Sequence, residues 1–382
     1  MPTMIAARLH EYGKPMTLDH IPVPEPRPTD VLVEVKACGI VPNMTRVVQN
    51  FFGSKVPDLK IMPPLPAIFG LDPTGVVTKV GNQVRSIAPG QRVYVNPARR
   101  CGSCRMCRSG APLDCPDFTF QGYFGRSQAI MQAYPYGGFS QFITAPEDAL
   151  VRLPDNVSFE NAARFGYLGT CYAAMKKLGV GPGQSFLVNG ISGQLGLGAA
   201  MLALAMGATR ILGTGRNVAL LKRVRALAPG RIEVFSFGDE KADGVASGDQ
   251  GAFIGWTKAQ TDGQGVDAVL DCLPPGAPAA AMMRPLFTLR RGGRAATVGA
   301  VMETLPINAF WLMTNRISLQ GSVWFLTGEG EEMAAMAAAG TLDLSALQHK
   351  VYPLSQINEV IDGMDERDGG FTNFIVDPTR VN

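Results

Sequence analysis

The sequence contains few histidines, no long run of basic residues and no long apolar run. Its 382 residues include three histidines, His10, His20 and His349. The net charge is +3 and no long basic run occurs, so the charge pattern gives no electrostatic footprint for nucleic acid. The longest apolar stretch, Leu195 to Met206, is too short to span a bilayer. Because the first residues lack the apolar core of a signal peptide, we expect a cytoplasmic protein.

The composition suits a large folded protein with many tight turns. At 382 residues the chain is long enough for two domains. Hydrophobic residues make up 46% of it and charged residues 18%, so a sizeable core can form. The 44 glycines and 28 prolines follow no collagen-like period, which indicates turns and close backbone approaches rather than disorder.

The first 150 residues have the pattern of short strands separated by turns. The segment VLVEVKACGI (31–40) alternates apolar and polar residues, as a half-buried strand does. The segments DPTGVVTKVG (72–81) and GQRVYVNP (90–97) are similar and are bounded by glycine or proline. This part of the chain therefore predicts an all-β segment with irregular insertions.

After residue 160, strands and helices alternate. SFLVNG (185–190) and RILGTG (210–215) are predicted strands, and VALLKRVRAL (218–227) is a predicted helix. VDAVLDC (266–272) and RAATVGAV (294–301) are two further predicted strands. This alternation predicts parallel βαβ units, whose strands are apolar because helices cover both faces of the sheet. We therefore expect an α/β protein in which a parallel sheet follows a β-rich part.

A glycine-rich turn joins the first of these strands to an apolar helix. It reads Gly190-Ile-Ser192-Gly193-Gln-Leu195-Gly196, a variant of the dinucleotide-binding pattern. Glycines let the backbone approach a diphosphate closely, and the N-terminus of the helix supplies oriented N–H donors. We therefore predict that this turn binds a dinucleotide cofactor. The alternative is a purely structural strand-to-helix turn.

The end of the next strand bears on the choice between NAD(H) and NADP(H). Sites for NAD(H) usually place an acidic residue there, which binds the ribose hydroxyls. This sequence has Gly215-Arg216-Asn217 and no carboxylate. Because an acidic residue would repel a 2′-phosphate and Arg216 would attract it, NADP(H) is favoured. The alternative is that Arg216 is a solvated surface residue and the protein does not discriminate.

Four of the seven cysteines lie within fifteen residues, in the pattern C-x2-C-x2-C-x7-C. Clustered cysteines in a cytosolic chain indicate metal binding more than disulfides. Cys101, Cys104, Cys107 and Cys115 can close a tetrahedral shell around Zn²⁺ that leaves no position for water, so the predicted zinc is structural. An iron–sulfur site and unconnected thiols are the alternatives.

These features together resemble the medium-chain dehydrogenase/reductases, the superfamily of the zinc alcohol dehydrogenases. The resemblance extends over nearly the whole chain and includes the segments 137–163, 290–300 and 352–364. It implies an α/β fold that combines a GroES-like, β-rich catalytic domain with a Rossmann cofactor domain. The implied division is 1–165 for the catalytic domain with its zinc lobe, 166–322 for the Rossmann domain and 323–382 for a C-terminal portion that returns to the catalytic domain.

The resemblance also exposes a departure from the zinc-dependent members. Those members hold a catalytic zinc through Cys, His and Cys, and the three positions fall on Val41, Leu71 and Gly166 here. None of these side chains can bind zinc, so the resemblance implies catalysis without it. The alternative is a zinc relocated to other residues, namely Cys38, Asp72 and Cys171.

Without that zinc, other groups have to stabilise the developing alkoxide or enolate. A preorganised hydrogen-bond donor contributes on the order of 3 kcal/mol to such a step. The candidates are Asn43, at the position of the family's relay hydroxyl, Tyr167, beside a lost ligand, and Asp72, which can act as acid or base if burial raises its pKa. For each a structural role is the alternative; for Asp72 that role is an ion pair with Arg46, at the position of the relay histidine, or with another cation.

Two further groups of residues bear on cofactor and substrate. Thr170, Leu195, Val298 and Gly299 match family positions around the nicotinamide, so the resemblance implies intact hydride delivery. The aromatic stretch 118–139 follows the cysteine cluster. With Phe51, Phe52 and Trp311 it predicts a roomy apolar pocket for an aromatic or terpenoid-sized substrate, and core or interface packing is the alternative.

The sequence therefore predicts an NADP(H)-preferring oxidoreductase with one structural Zn²⁺ per chain. It would transfer hydride to or from a carbonyl, an alcohol or a conjugated C=C bond, on a small molecule, with neither nucleic acid nor membrane as partner. A zinc-dependent alcohol dehydrogenase with relocated ligands and a catalytically silent NADPH-binding interaction protein are the alternatives. The resemblance alone implies a homodimer or homotetramer, with a strand near GSVWF (321–325) extending a sheet between subunits.

Overall fold

The computed structural model describes residues 2–51 and 62–380. In this part of the chain the strands are β1 (Thr3–Arg8), β2 (Thr17–Pro22), β3 (Asp30–Gly39), β4 (Asp72–Val80), β5 (Arg92–Val95), β6 (Ala98–Arg99), β7 (Thr119–Phe120), β8 (Phe142–Pro146), β9 (Leu150–Arg152), β10 (Ser185–Asn189), β11 (Arg210–Gly215), β12 (Ile232–Ser236), β13 (Ala246–Ser247), β14 (Val266–Asp271), β15 (Leu289–Thr297), β16 (Ser318–Gly321), β17 (Gln348–Pro353) and β18 (Thr372–Asp377).

The helices lie mainly after residue 158. They are α1 (Met44–Val48), α2 (Arg105–Arg108), α3 (Gln128–Ala133), α4 (Phe159–Ala162), α5 (Phe165–Leu178), α6 (Gln194–Ala205), α7 (Val218–Ala226), α8 (Gln250–Ala259), α9 (Ala279–Leu286), α10 (Ala309–Asn315), α11 (Thr327–Ala338) and α12 (Ile357–Asp362).

One sheet combines strands from both ends of the chain. Its order is β17-β18-β3-β4-β5-β9, with β8 also paired to β3. Strand β18 pairs antiparallel with β3 through Ile375 opposite Gly39 and Val376 opposite Cys38. Strands β17 and β18, near the C-terminus, thus belong to the sheet that the N-terminal strands form. The segment that joins them therefore begins and ends at this sheet.

A second sheet is parallel throughout and has the order β13-β12-β11-β10-β14-β15-β16. Phe186, Leu187 and Val188 on β10 are fully buried, because helices cover both faces of the central strands. The strand order reverses between β10 and β14, and at such a point a crevice opens outside the carboxyl ends of the strands. The predicted α/β class, with a GroES-like sheet and a Rossmann sheet, is confirmed.

Strand β16 lies at one edge of the parallel sheet. The strand predicted near 321–325 coincides with it only at Gly321, because residues 322–326 form no strand. At the other end of the molecule, His10 and His20 lie on or beside the β1–β2 hairpin, far from the crevice in sequence and on the hairpin surface. None of the helices in the described ranges is long and apolar enough to cross a membrane.

Candidate functional site

A cavity of about 900 Å³ opens at the crevice between β10 and β14. Its walls come from both sheets: the loop after β3, the first turns of α5, the glycine turn, the ends of β11 and β14, the loop after β15, and the irregular segments that follow β16 and α12. A ligand in this cavity would therefore touch the GroES-like part and the Rossmann part of the chain at once.

The predicted cofactor turn forms one wall of the cavity. Gly190, Ser192, Gly193 and Leu195 line it, and Gly190 has a φ of 82°, which favours glycine. Gly196 lies underneath the turn, where a Cβ atom would approach the Gly190 carbonyl oxygen to 2.1 Å. The absence of that side chain lets α6 pack against the turn. Helix α6 begins directly after Gly193, so its free N–H groups face the cavity.

Gly215 and Arg216, at the end of β11, also line the cavity. Arg216 is exposed, and among the described residues it has no ion pair or hydrogen bond. Asn217 was predicted to bind cofactor, but it is absent from the lining. Its side-chain oxygen instead accepts a hydrogen bond of 3.0 Å from the backbone N–H of Leu220 and so caps α7.

Three residues predicted to surround the nicotinamide lie together at the inner end of the cavity. Thr170, Val298 and Gly299 all line it. Strand β15 ends at Thr297, earlier than predicted, so Val298 and Gly299 belong to the loop that follows. A Cβ atom at Gly299 would lie 2.5 Å from the Leu273 carbonyl oxygen, so this loop closely approaches the loop after β14.

The positions of the family's catalytic zinc ligands also meet here. Val41, Leu71 and Gly166 all line the cavity, and none of them carries a metal-binding atom. In the described ranges the only convergent group of three or more His, Cys, Asp or Glu side chains is the predicted cysteine cluster. The thiols of Cys38 and Cys171 instead contact the backbone carbonyls of Gly39 at 3.8 Å and Leu195 at 3.2 Å.

Asp72 lies behind this wall rather than in the cavity lining. Its Oδ1 accepts a hydrogen bond of 2.8 Å from the Tyr94 hydroxyl. Burial raises the pKa of the Asp72 carboxyl to about 7. The ion pair with Arg46 is not formed; the Arg46 guanidinium instead donates to the Pro275 carbonyl oxygen at 3.3 Å. Asp72 is therefore placed to hold the strands together rather than to touch a substrate.

Gly166 separates this carboxyl group from the cavity. A Cβ atom at position 166 would lie 2.1 Å from Asp72 Oδ1 in a fully buried site. We expect Gly166→Ala to lower the free energy of unfolding by about 1–3 kcal/mol, because the extra methyl group overpacks the site. Urea unfolding measures this. Gly255→Ala is the matched control, since nothing lies within 4 Å of its Cβ position on α8; equal losses in both variants would show that the contact with Asp72 is not the cause.

Hydrogen-bonding side chains line the cavity close in sequence to the lost ligand positions: Asn43 follows Val41 by two residues, and Tyr167 follows Gly166 directly. The Tyr123 hydroxyl donates to Asn43 Oδ1 at 2.7 Å, which leaves the Asn43 amide hydrogens for another acceptor. The Tyr167 hydroxyl has no hydrogen-bond partner among the described residues, and burial, followed by the charge of Asp72, raises its pKa. Tyr167 is therefore protonated at neutral pH and free to donate. The sequence analysis placed Tyr123 in the aromatic stretch but did not predict its hydrogen bond to Asn43.

Two arginines lie beside Tyr167. The Arg164 guanidinium is 5.5 Å from the centre of the Tyr167 ring, and Arg367 lines the cavity. Arg164 is 1% exposed and donates through Nη2 to backbone carbonyls, whereas its Nε and Nη1 have no hydrogen-bond partner in the part of the chain that the structure describes. Both positive charges favour the ionised form of Tyr167 and so lower its pKa relative to burial alone. The pKa of Tyr167 nevertheless stays raised, because burial and the charge of Asp72 outweigh the two arginines.

The aromatic wall of the cavity differs from the one predicted. Phe120 and Tyr123 line it as expected, together with Trp324. Trp311 does not line it; its ring packs edge-on against Phe287 with the centroids 5.3 Å apart. Phe51 lies 5.2 Å from the Arg46 guanidinium, and Phe52 lies outside the described residues.

The cysteine cluster is a separate site. The sulfur atoms of Cys101, Cys104, Cys107 and Cys115 all lie within 4.8 Å of one another. The Cys115–Cys101 and Cys104–Cys115 sulfurs are 3.6 Å and 3.9 Å apart. Four sulfurs at the usual Zn–S bond length of about 2.3 Å in a tetrahedron are about 3.8 Å apart, so the four thiols fit a closed zinc shell.

Comparison with known proteins connects these sites to a family. The model of the alcohol dehydrogenase GroES-like domain matches residues 27–155, and that of the zinc-binding dehydrogenases matches residues 195–339. An alcohol dehydrogenase of Geobacillus stearothermophilus is 28% identical, over 94% of this chain and 96% of its own. An NAD-dependent alcohol dehydrogenase of Sulfurisphaera tokodaii is 26% identical, over 95% of this chain and 96% of its own.

A solved structure has the same fold. It is a Sinorhizobium meliloti protein described as a zinc-binding dehydrogenase and bound to NADP, and it superposes with a TM-score of 0.79 at 23% identity, over 99% of this chain and 100% of its own. The predicted resemblance is thereby confirmed. This chain belongs to the medium-chain dehydrogenase/reductase superfamily, in its zinc alcohol dehydrogenase-like branch, and is an NAD(P)-dependent oxidoreductase of that type.

Proposed function

We propose that the protein is an NADP(H)-preferring reductase of a carbonyl, or of a C=C bond conjugated to one, that works without a catalytic zinc. The observation that carries the proposal is the cavity wall at Val41, Leu71 and Gly166, whose side chains offer no metal ligand, together with the Tyr167 hydroxyl, which has no partner among the described residues. Zinc in this protein would be confined to the cysteine cluster, where it holds a loop together.

Hydrogen-bond donors take over the role of the metal in this proposal. When bound, the reduced nicotinamide supplies a hydride. The Asn43 amide donates to the substrate oxygen, and its orientation is fixed by the hydrogen bond from Tyr123. The Tyr167 hydroxyl then gives its proton to the oxygen as the hydride reaches carbon, and solvent returns a proton to the phenolate. Arg164 and Arg367 partly offset the unfavourable effect that burial and Asp72 have on the transient phenolate.

The preference for NADP(H) rests on Arg216. Its guanidinium lines the cavity beside the glycine turn and has no partner among the described residues, so it is available for a 2′-phosphate. Gly215 precedes it and no carboxylate occurs at the end of β11. The Sulfurisphaera tokodaii relative is named NAD-dependent, so the proposal comes from this chain's own residues rather than from the relatives.

The substrate is proposed to be a small apolar molecule, because Phe120, Tyr123, Leu71 and Val41 surround the inner end of the cavity. The subunits are proposed to form a homodimer or homotetramer. The unpaired edge of β16 supports this, together with the exposed apolar side chains of Phe310 and Met313 on the neighbouring helix α10.

Turnover with NADPH tests the function. Saturated ketones and conjugated enones are supplied with NADPH or with NADH, and both the loss of cofactor absorbance and the products are followed. The proposal expects turnover that is faster with NADPH, and the product identifies the reduced bond. Binding of NADPH without turnover on a broad panel of ketones and enones would instead favour a catalytically silent NADPH-binding protein.

A further inference from the structure

Trp324 has a backbone conformation that a bulky residue rarely adopts. In the described ranges four non-glycine residues have positive φ, at Asn50, Asp262, Arg316 and Trp324, and of these only Trp324 lines the cavity. Its φ is 59°, in the left-handed region. This conformation is costly for a bulky residue and persists only where the surroundings hold it in place.

Asn96 holds the indole ring of Trp324. The Trp324 Nε1 donates to Asn96 Oδ1 at 2.7 Å, and the Asn96 amide donates back to the Phe325 carbonyl oxygen at 3.2 Å. Asn96 is 2% exposed, and its Oδ1 also accepts from the backbone N–H of Ala98 at 3.1 Å. Because Asn96 lies between β5 and the cysteine lobe, the indole is fixed to the GroES-like part of the molecule.

The fixed indole completes a rigid aromatic wall. Its ring meets Phe120 nearly edge-on, with the centroids 4.8 Å apart at an interplanar angle of 70°. Trp324 is only 7% exposed, and it lines the cavity together with Phe120 and Tyr123. Aromatic walls of this kind favour flat rings, which offer their faces and edges without losing the conformational freedom that a flexible chain loses on binding.

We propose that Trp324 determines substrate specificity and selects flat, ring-bearing carbonyl compounds over flexible acyclic ones of equal size. Asn96 is the positioning residue that maintains the indole in this orientation. This inference rests on the proposed function in that it assigns the substrate class of the same site. It differs from a general preference for apolar molecules, because it compares ring-bearing and chain substrates that have the same number of carbon atoms.

The test compares Trp324→Leu with the wild type on pairs of substrates with equal numbers of carbon atoms. Acetophenone is paired with 2-octanone, and benzylideneacetone with 3-decen-2-one. The ratio of kcat/KM for the ring compound over the chain compound is expected to fall about tenfold in the variant, mainly through KM. Trp311→Leu is the matched control, because Trp311 lies outside the cavity lining, and its ratio should match the wild type.

Two further variants separate specificity from folding. Trp324→Gly removes the indole and suits the positive φ, so it should lower the ratio without the backbone strain that a leucine bears at this position. Asn96→Ala should lower the ratio in the same direction, a change that a purely structural role would not produce. A ratio that stays within about twofold of the wild type in folded Trp324→Leu overturns the proposal.

Binding measurements distinguish a failure of this inference from a failure of the proposed function. Benzyl alcohol and 1-heptanol, which have equal numbers of carbon atoms, are titrated by calorimetry into the complex with NADP⁺. If the wild type reduces none of the substrates, the proposed function is wrong. Stronger binding of benzyl alcohol that is lost in Trp324→Leu would still support the inference, and equal affinities in both proteins would overturn it.

Discussion

Tyr167→Phe is expected to lower kcat by about a thousandfold while the Kd for NADPH stays unchanged, because loss of a positioned general acid costs about 10²- to 10⁴-fold. The substitution removes a cavity hydroxyl that has no partner among the described residues, and it keeps the ring that packs near Arg164. Steady-state kinetics with NADPH measures kcat, and fluorescence titration measures Kd.

Tyr123→Phe provides the comparison for that result. Tyr123 uses its hydroxyl to orient Asn43, so its loss should lower kcat by a smaller factor, about tenfold, through a misplaced amide. If Tyr167→Phe retains wild-type kcat, Tyr167 is not the proton donor. If Tyr123→Phe instead shows the larger loss of kcat and Tyr167→Phe the smaller one, Tyr123 is the proton donor.

Arg216→Asp is expected to reverse the cofactor preference, changing the ratio of kcat/KM for NADPH over NADH by about a hundredfold or more. The substitution removes a charge-assisted hydrogen bond to the 2′-phosphate and places a like charge beside it. The new carboxylate can instead accept from the ribose hydroxyls of NADH. Initial rates with both cofactors measure the ratio.

Arg85→Asp makes the same charge change on the exposed surface far from the cavity lining, and it should leave the ratio unaltered. A ratio that is the same in Arg216→Asp and in the wild type would mean that the 2′-phosphate lies elsewhere. Arg216 would then be the solvated surface residue that is the alternative interpretation of the sequence.

Local features of the sequence were sufficient to predict the glycine turn that lines the cavity and the clustering of the four cysteines. Gly190 and Gly193 lie in the turn between β10 and α6, and Gly196 lies in the first turn of α6, so their spacing already implies a close backbone approach. The cysteines likewise lie on one short loop, whose spacing brings four sulfurs within 4.8 Å. The strands and helices of the parallel sheet were predictable because apolar runs that alternate with amphipathic segments have few other ways to bury their surface.

Contacts between distant parts of the chain were not predictable in this way. The Tyr94 hydroxyl can donate to Asp72 because of the strand register. Thr74, two residues further along the same face of β4, lies opposite Tyr94 on β5. That register depends on the whole sheet. Trp324 reaches the cavity through a hydrogen bond to Asn96, which is 228 residues away, and no local pattern distinguishes it from Trp311. The predicted aromatic pocket was therefore partly assigned to the wrong tryptophan.

Asn217 shows that the role of a residue at the boundary between a strand and a helix is difficult to predict from sequence. The glycine turn and β11 place residues 214–216 at the cavity, but the next residue begins a helix and uses its side chain as the cap. A polar residue at such a boundary satisfies the helix first, because the free N–H groups of the first turn lie within its reach. Whether Asn217 caps the helix or faces the cavity depends on where the strand ends and the helix begins. Sequence patterns locate that boundary only approximately.

The central claim is that hydride transfer in this protein proceeds without a catalytic metal, and zinc content measured on the active enzyme tests it most directly. Purified protein is assayed for zinc by mass spectrometry and for NADPH-dependent turnover before and after exposure to a chelator. The account predicts one zinc per chain, bound by the cysteine cluster, and turnover that persists when chelator removes any additional metal. Two zinc ions per chain, with activity lost in proportion to removal of the second, would contradict it.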